Sequence, residues 1–213
     1  MTFAGFVPLS LCDYPGRAAS VVFTQGCNFL CPWCHNAHLI PMACPHPPLD
    51  ERDILTRLEE RRARVGGVVV SGGEPTLHPG LPYFLRRLKA LGLSVKLDTN
   101  GTRPDVLKPL LEDGTVDFVA MDVKAPWGRY AELTGAADCD VGAVRDSLAT
   151  IAASGVAHQF RTTRVYPLLS DEDYAAILAQ IPAGSPHVWQ DFRPTVGEMP
   201  RGHMARGGAD GAV

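Results

Sequence analysis

The sequence predicts an α/β fold, a single domain built on a parallel sheet, and three observations carry that reading. Short apolar runs alternate with stretches of helical periodicity, the apolar runs end in polar or glycine-rich loops, and 213 residues match one domain rather than two. Six predicted strands alternate with five predicted helices. Parallel strands need a long crossover, so the alternation implies right-handed βαβ units. Six such units close partway around a (βα)6, TIM-like barrel; a doubly wound open sheet is the alternative.

The N-terminal stretch Phe3–Arg17, with the turn Asp13-Tyr14-Pro15-Gly16, is expected to form a short strand or hairpin beside the first strand. That strand is the apolar run Ala18–Thr24, and a cysteine-bearing loop follows it directly. Asp50 can cap a helix running to about Arg64, with Ile54, Leu55, Leu58 and Val65 inward and Gly66-Gly67 as the stop. Strand Val68–Ser71 leads through Gly72-Gly73-Glu74-Pro75-Thr76 into a helix over Gly80–Leu91, where Leu81, Phe84, Leu85, Leu88 and Leu91 recur at helical spacing. Strand Ser94–Thr99, loop Asn100-Gly101, a short helix over Pro104–Glu112 and strand Val116–Asp122 continue the pattern. Val141, Val144, Leu148 and Ile151 mark a helix, His158–Val165 a strand, Tyr174, Ile177, Leu178 and Ile181 a helix, and His187–Phe192 the last strand. Residues 1–200 are read as the barrel domain, and Arg201–Val213, rich in Gly and Ala without apolar periodicity, as a mobile C-terminal tail.

Composition narrows the function. With 46% hydrophobic and 20% charged residues the chain can bury a sizeable core, which excludes disorder of the whole. A net charge of −3 offers no basic footprint for a phosphate backbone, so no nucleic-acid partner is expected. No apolar run approaches the roughly 18 residues that span a bilayer, and the N-terminus carries no basic segment ahead of an apolar one. A cytoplasmic protein with no membrane partner is the expectation.

Of the six cysteines, Cys12, Cys44 and Cys139 are scattered and read as small, partly buried hydrophobes. Cys27, Cys31 and Cys34 are clustered in Gly26-Cys27-Asn28-Phe29-Leu30-Cys31-Pro32-Trp33-Cys34-His35-Asn36, and a loop of that length can wrap three thiols around one object. Zinc would need a fourth ligand, and the one nearby nitrogen, His35, directly follows Cys34. Cys31-Pro32-Trp33-Cys34-His35 matches a haem-attachment pattern, and its first four residues a dithiol redox motif; both leave Cys27 unused. The remaining reading is a four-iron, four-sulfur cluster on three thiolates, with one iron left open for chemistry.

The spacing Cys27-x-x-x-Cys31-x-x-Cys34, with aromatic Trp33 before the last cysteine, resembles the signature of radical S-adenosylmethionine enzymes. The wider context of Asp13-Tyr14-Pro15-Gly16-Arg17, Val22–Phe29 and Cys34-His35-Asn36 is similar to glycyl-radical-enzyme activases, with particular likeness to anaerobic ribonucleoside-triphosphate reductase activating proteins. The resemblance covers residues 3–194 and implies a partial (βα)6 barrel, one [4Fe–4S] cluster on Cys27, Cys31 and Cys34, and S-adenosyl-L-methionine. It further implies reductive cleavage to a 5′-deoxyadenosyl radical, which takes a hydrogen from a glycine of a glycyl radical enzyme, here the anaerobic ribonucleotide reductase. A flavodoxin or ferredoxin-type protein would supply the electron.

The same resemblance assigns the strand-end loops, each of which also has a plainer reading. Trp33 and His35 join the cofactor wall. Gly72, Gly73 and Glu74 are implied at the amino group of S-adenosylmethionine, whereas alone they read as a tight strand-to-helix turn. Asp98, Thr99 and Asn100 resemble the loop near the ribose and an adjacent cation site, or else an Asn-Gly turn. Asp122 and Lys124 lie two residues apart, on one side if the strand persists, and are placed at the carboxylate and ribose end or at the substrate mouth; a surface ion pair competes. Arg161 is assigned to the methionyl carboxylate, against a barrel-wall salt bridge. Some related activases carry a histidine after the sixth strand; this chain reads Trp189-Gln190-Asp191-Phe192-Arg193, leaving Gln190 or Arg193 to substitute. Two other functions compete: a small-molecule radical enzyme of the 7-carboxy-7-deazaguanine synthase kind, and a non-enzymatic metal-binding module.

Overall fold

A computed structural model describes residues 1–192. Its seven strands form one sheet in sequence order: β1 (Phe3–Ser10), β2 (Ala19–Thr24), β3 (Gly67–Gly72), β4 (Ser94–Thr99), β5 (Phe118–Asp122), β6 (Ala157–Arg164) and β7 (His187–Asp191). β1 runs antiparallel to β2, and every later pair is parallel. The order never reverses, which sets aside the doubly wound sheet, since that architecture needs a switch point. Successive right-handed crossovers in one direction curl the sheet toward a barrel. Among the described residues β7 does not pair with β1, so the barrel is partial.

The crossovers are α1 (Glu51–Arg61), α2 (Leu81–Ala90), α3 (Pro104–Glu112), α4 (Tyr130–Thr134), α5 (Val141–Ala153) and α6 (Asp171–Gln180). Strand residues alternate between two layers. Val68 and Val70 pack with Leu81, Phe84, Leu85 and Leu88 of α2 and Ile54 and Leu58 of α1, whereas Val69 joins Val21, Ala19 and Tyr14 in a separate inner cluster. Burying each such side chain is worth about 1.5–3 kcal/mol. Phe3 of the antiparallel strand packs at a tilt against Phe84 with ring centroids 4.8 Å apart, so the added strand seals one end of the core.

The helix after Asp50 starts where expected, with the Asp50 carboxylate accepting the Arg52 N–H at 2.7 Å. It ends at Arg61 rather than Arg64, because the chain turns there and delivers the Gly66 N–H to the Ala18 carbonyl at 2.9 Å. β5 begins at Phe118, not Val116: the Val116 N–H belongs to the turn closing α3, and Asp117 uses its side chain to accept the Val95 N–H at 2.7 Å. The sequence reading missed α4, which at five residues is too short to show periodicity. Cys12, expected to be partly buried, is exposed, because it lies in the turn beyond the edge strand with its thiol beside Ser10 and Asp13. The tail at 201–213 and Arg193 lie outside the described residues. Among the described residues no helix is long and apolar enough to cross a membrane.

Candidate active site

The C-terminal ends of the parallel strands open into one cavity of about 260 Å³. Cys27, Cys31 and Cys34 line it from the loop after β2, together with Trp33 and His35. Gly72, Gly73 and Glu74 reach it from β3, Asp98, Thr99 and Asn100 from β4, Asp122 and Lys124 from β5, and Arg161 from β6. Every site residue expected from sequence thus lines a single space. Gln190 of β7, one of the two residues left to stand in for that histidine, lines it too.

The three thiols share the cavity without converging on one point: among the described residues no three His, Cys, Asp or Glu side chains are placed to hold a single metal ion. A donor set of three soft thiolates around a wider space fits an iron–sulfur cluster better than zinc, and N–H groups stand ready for the sulfur. The Phe29 N–H donates to Cys27 Sγ at 3.4 Å, and the Asn100 amide lies 4.0 Å from the same atom. Burial pushes the Cys27 thiol up to about 11 and the Cys31 thiol up to about 12, the latter against the pull of Lys124. Thiolate ligation must therefore displace protons, which couples cluster uptake to pH.

The glycine loop is built for contact with the cysteine loop. A Cβ on Gly73 would lie 2.0 Å from the Gly26 carbonyl oxygen, and Gly72 holds φ at 128°, where side chains are strained. Glu74, 1% exposed, spends its carboxylate on neighbouring loops. Oε1 accepts from the Thr76 N–H (3.1 Å), the Thr76 hydroxyl (2.5 Å) and the Thr99 hydroxyl (2.8 Å), and Oε2 accepts the Asn100 N–H at 2.6 Å. Burial raises its pKa against these donors. Asn100 also closes a ring: its amide donates to Asn28 at 2.8 Å, Asn28 to the Thr102 hydroxyl at 2.9 Å, and Thr102 back to Asn100 at 2.8 Å.

Across the β4–β6 ends runs an ion-pair ladder. Lys96 pairs with Asp98; Arg161 bridges Asp98 (3.1 Å) and Asp122 (2.8 Å); Lys124 pairs with Asp122 at 3.1 Å. Burial acts to raise the Asp122 pKa, but Arg161 and Lys124 outweigh it and hold the carboxyl at about 2. The same pairing keeps Lys124 and Arg161 charged against burial. Three cations meet two carboxylates, so the ladder carries one surplus positive charge. The strand ends at Asp122, yet Lys124 still folds back onto the same side, as the two-residue spacing suggested. The Arg161 fork makes the wall salt bridge that was its plainer reading.

The sequence did not single out Asn28, Thr76, Thr102 or Lys96. Lys96 had a signal, two residues before Asp98 on one face of a strand. Thr76 and Thr102 also had a local signal, each lying two residues after the side chain it donates to, Glu74 and Asn100; Asn28 had none, because it meets Asn100 and Thr102 across loops from different strands.

The family described as the Radical SAM superfamily matches residues 21–181. A candidate glycyl-radical enzyme activating enzyme of Methanocaldococcus jannaschii is 32% identical over 90% of this chain and 80% of its own length. A 7-carboxy-7-deazaguanine synthase of Neisseria meningitidis serogroup B is 34% identical over 52% of this chain, which spans 45% of that protein. Among solved structures, Streptococcus suis SuiB bound to S-adenosylmethionine superimposes with a TM-score of 0.63 at 14% identity, covering 83% of this chain and 40% of SuiB, a likeness of fold.

Proposed function

The chain belongs to the radical SAM superfamily, enzymes that work with a [4Fe–4S] cluster and S-adenosylmethionine, and from that premise we propose that it is an activase generating a glycyl radical on a partner enzyme. The observation that carries the reading is the extent of the likeness to the Methanocaldococcus protein, 90% of this chain against 52% for the deazaguanine synthase. The partner proposed is the anaerobic ribonucleoside-triphosphate reductase, with a flavodoxin or ferredoxin-type reductant.

Cys27, Cys31 and Cys34 would hold three irons of the cluster, leaving the fourth open to the cofactor. When bound, the pair supplies one-electron cleavage of a sulfonium and hence a carbon radical able to take a hydrogen atom. The residues of this chain bind and orient. Glu74 and the backbone of Gly72-Gly73 would receive the cofactor's amino group, and the surplus positive charge of the Lys96–Lys124 ladder would receive its carboxylate. Asp98, Thr99 and Asn100 would lie toward the ribose. Trp33 and Phe29, 4% and 2% exposed, line the space with apolar surface, and a closely packed wall would hold a radical on its substrate rather than let it quench on a stray side chain.

The deciding experiment is anaerobic incubation of the reduced, cofactor-loaded enzyme with the anaerobic reductase, read by EPR. A glycyl-radical doublet on the partner supports activation. Conversion of a deazapurine precursor with no signal on the partner points instead to the small-molecule reading, which the Neisseria relative favours.

A further inference from the structure

Gln25 stands at the entrance of the cysteine loop, 1% exposed and away from the cavity lining. Its side-chain Nε2 donates to the carbonyls of His38 (3.2 Å) and Pro41 (2.7 Å) on the returning limb of that loop. The backbone continues the seam, with the Gly26 N–H on the Leu39 carbonyl at 2.8 Å and the Cys27 N–H on the Ile40 carbonyl at 3.0 Å. The segment bearing the three thiols therefore hangs from a closed neck. The same two residues hold the glycine loop: the Gln25 carbonyl lies 2.9 Å from His78 Nε2, and the Gly26 carbonyl accepts the Glu74 N–H at 2.8 Å.

Among the described residues Gln25 Oε1 is buried without a partner. The amide cannot turn over, since Oε1 would then face two carbonyl oxygens. An unpaired buried acceptor is unfavourable, and a methionine would fill the volume without one. What a glutamine adds at this position is the pair of carbonyls it holds.

We propose that Gln25 is the positioning residue of the cysteine loop, its amide clasping the neck so that Cys27, Cys31 and Cys34 are held in the arrangement that takes up the cluster. The inference rests on the cluster reading and deepens it. A loop closed before the cluster arrives has less ordering entropy to lose on binding, and it releases iron more slowly once loaded.

The test compares wild type, Gln25→Met and Gln25→Asn after anaerobic reconstitution, following iron release to a chelator and the EPR spectrum of the reduced cluster. Amide exchange at Gly26 and Cys27 is followed in the apoprotein. Leu58→Ala, in the core under α1, serves as a control for general destabilisation. Gln25→Met is expected to release iron at least about ten-fold faster, change the g-values and speed exchange at both amides, with Gln25→Asn intermediate because its shorter arm reaches one carbonyl at most. Leu58→Ala should lower the melting temperature and leave all three readouts at wild-type values. Wild-type release and spectrum in Gln25→Met, or the same changes in Leu58→Ala, would overturn the clasp. If Gln25→Met fails to fold, Gln25→Asn decides. A wild type that takes up no cluster contradicts the cluster reading instead, and exchange in the apoprotein still tests the neck.

Discussion

The Glu74 carboxylate accepts the Asn100 backbone N–H at 2.6 Å, so one buried side chain fixes the loop after β3 to the loop after β4. Oε1 already serves three donors, which leaves Oε2 as the oxygen with acceptor capacity to spare. Glu74→Gln puts an amide N–H where a donor now points. The expected result is at least ten-fold weaker S-adenosylmethionine binding with iron content unchanged. Glu74→Ala should in addition lose about 1–3 kcal/mol of stability from stranded donors. Calorimetric titration of the reconstituted protein, with urea unfolding of the apoprotein, separates the two effects.

Gly73→Ala tests the contact between the glycine and cysteine loops. The new Cβ meets backbone at 2.0 Å, from the Gly26 oxygen, and no side-chain rotation can relieve it. The loops must part, at a cost of about 1–3 kcal/mol. Iron uptake on reconstitution should fall by more than half; uptake equal to wild type would show that the close approach is dispensable.

The ladder makes an asymmetric prediction. In Arg161→Met, Asp98 keeps Lys96 and Asp122 keeps Lys124, so each carboxylate retains a cation. Asp122→Ala instead strands Lys124 beside Arg161. The loss should be about 3 kcal/mol for Asp122→Ala, the low end for a broken buried pair because the side chain is 29% exposed, and clearly smaller for Arg161→Met. Urea midpoints of the two variants measure the difference, and the reverse order would contradict the pairing.

Burial of the thiols gives the apoprotein a pH dependence of definite sign. An unfolded cysteine ionises near 8.5, whereas folded Cys27 and Cys31 ionise at about 11 and about 12. Above pH 9 the unfolded state therefore binds fewer protons, and stability falls as pH rises, by about 1.4 kcal/mol per pH unit per thiol. The slope fades as pH falls through the unfolded pKa and is nearly gone by about pH 7. Unfolding of reduced apoprotein across pH 7 to 10 should show the decline, and a Cys27→Ala, Cys31→Ala variant should flatten it.

Much of this arrangement was legible in the sequence. The period of Leu81, Phe84, Leu85 and Leu88 and the apolar run through Val70 placed helix and strand correctly, because each buries one continuous face. The loops followed, since strand ends converge in a parallel barrel. What stayed hidden depends on contacts across the chain. α4 is too short to have a period, and Val116 reads as strand until Asp117 is seen bonded to Val95. The clasp of Gln25 on His38 and Pro41 follows from the path of the returning loop, which no residue pattern announces.

The most direct test of the central claim is anaerobic reconstitution with iron and sulfide, followed by iron counting and EPR with and without S-adenosylmethionine, on wild type and Cys31→Ala. The account predicts about four irons per chain, a reduced-cluster signal that shifts when the cofactor is added, and loss of both in the variant. Stoichiometric zinc, a haem spectrum, or a cluster whose signal ignores S-adenosylmethionine would contradict it.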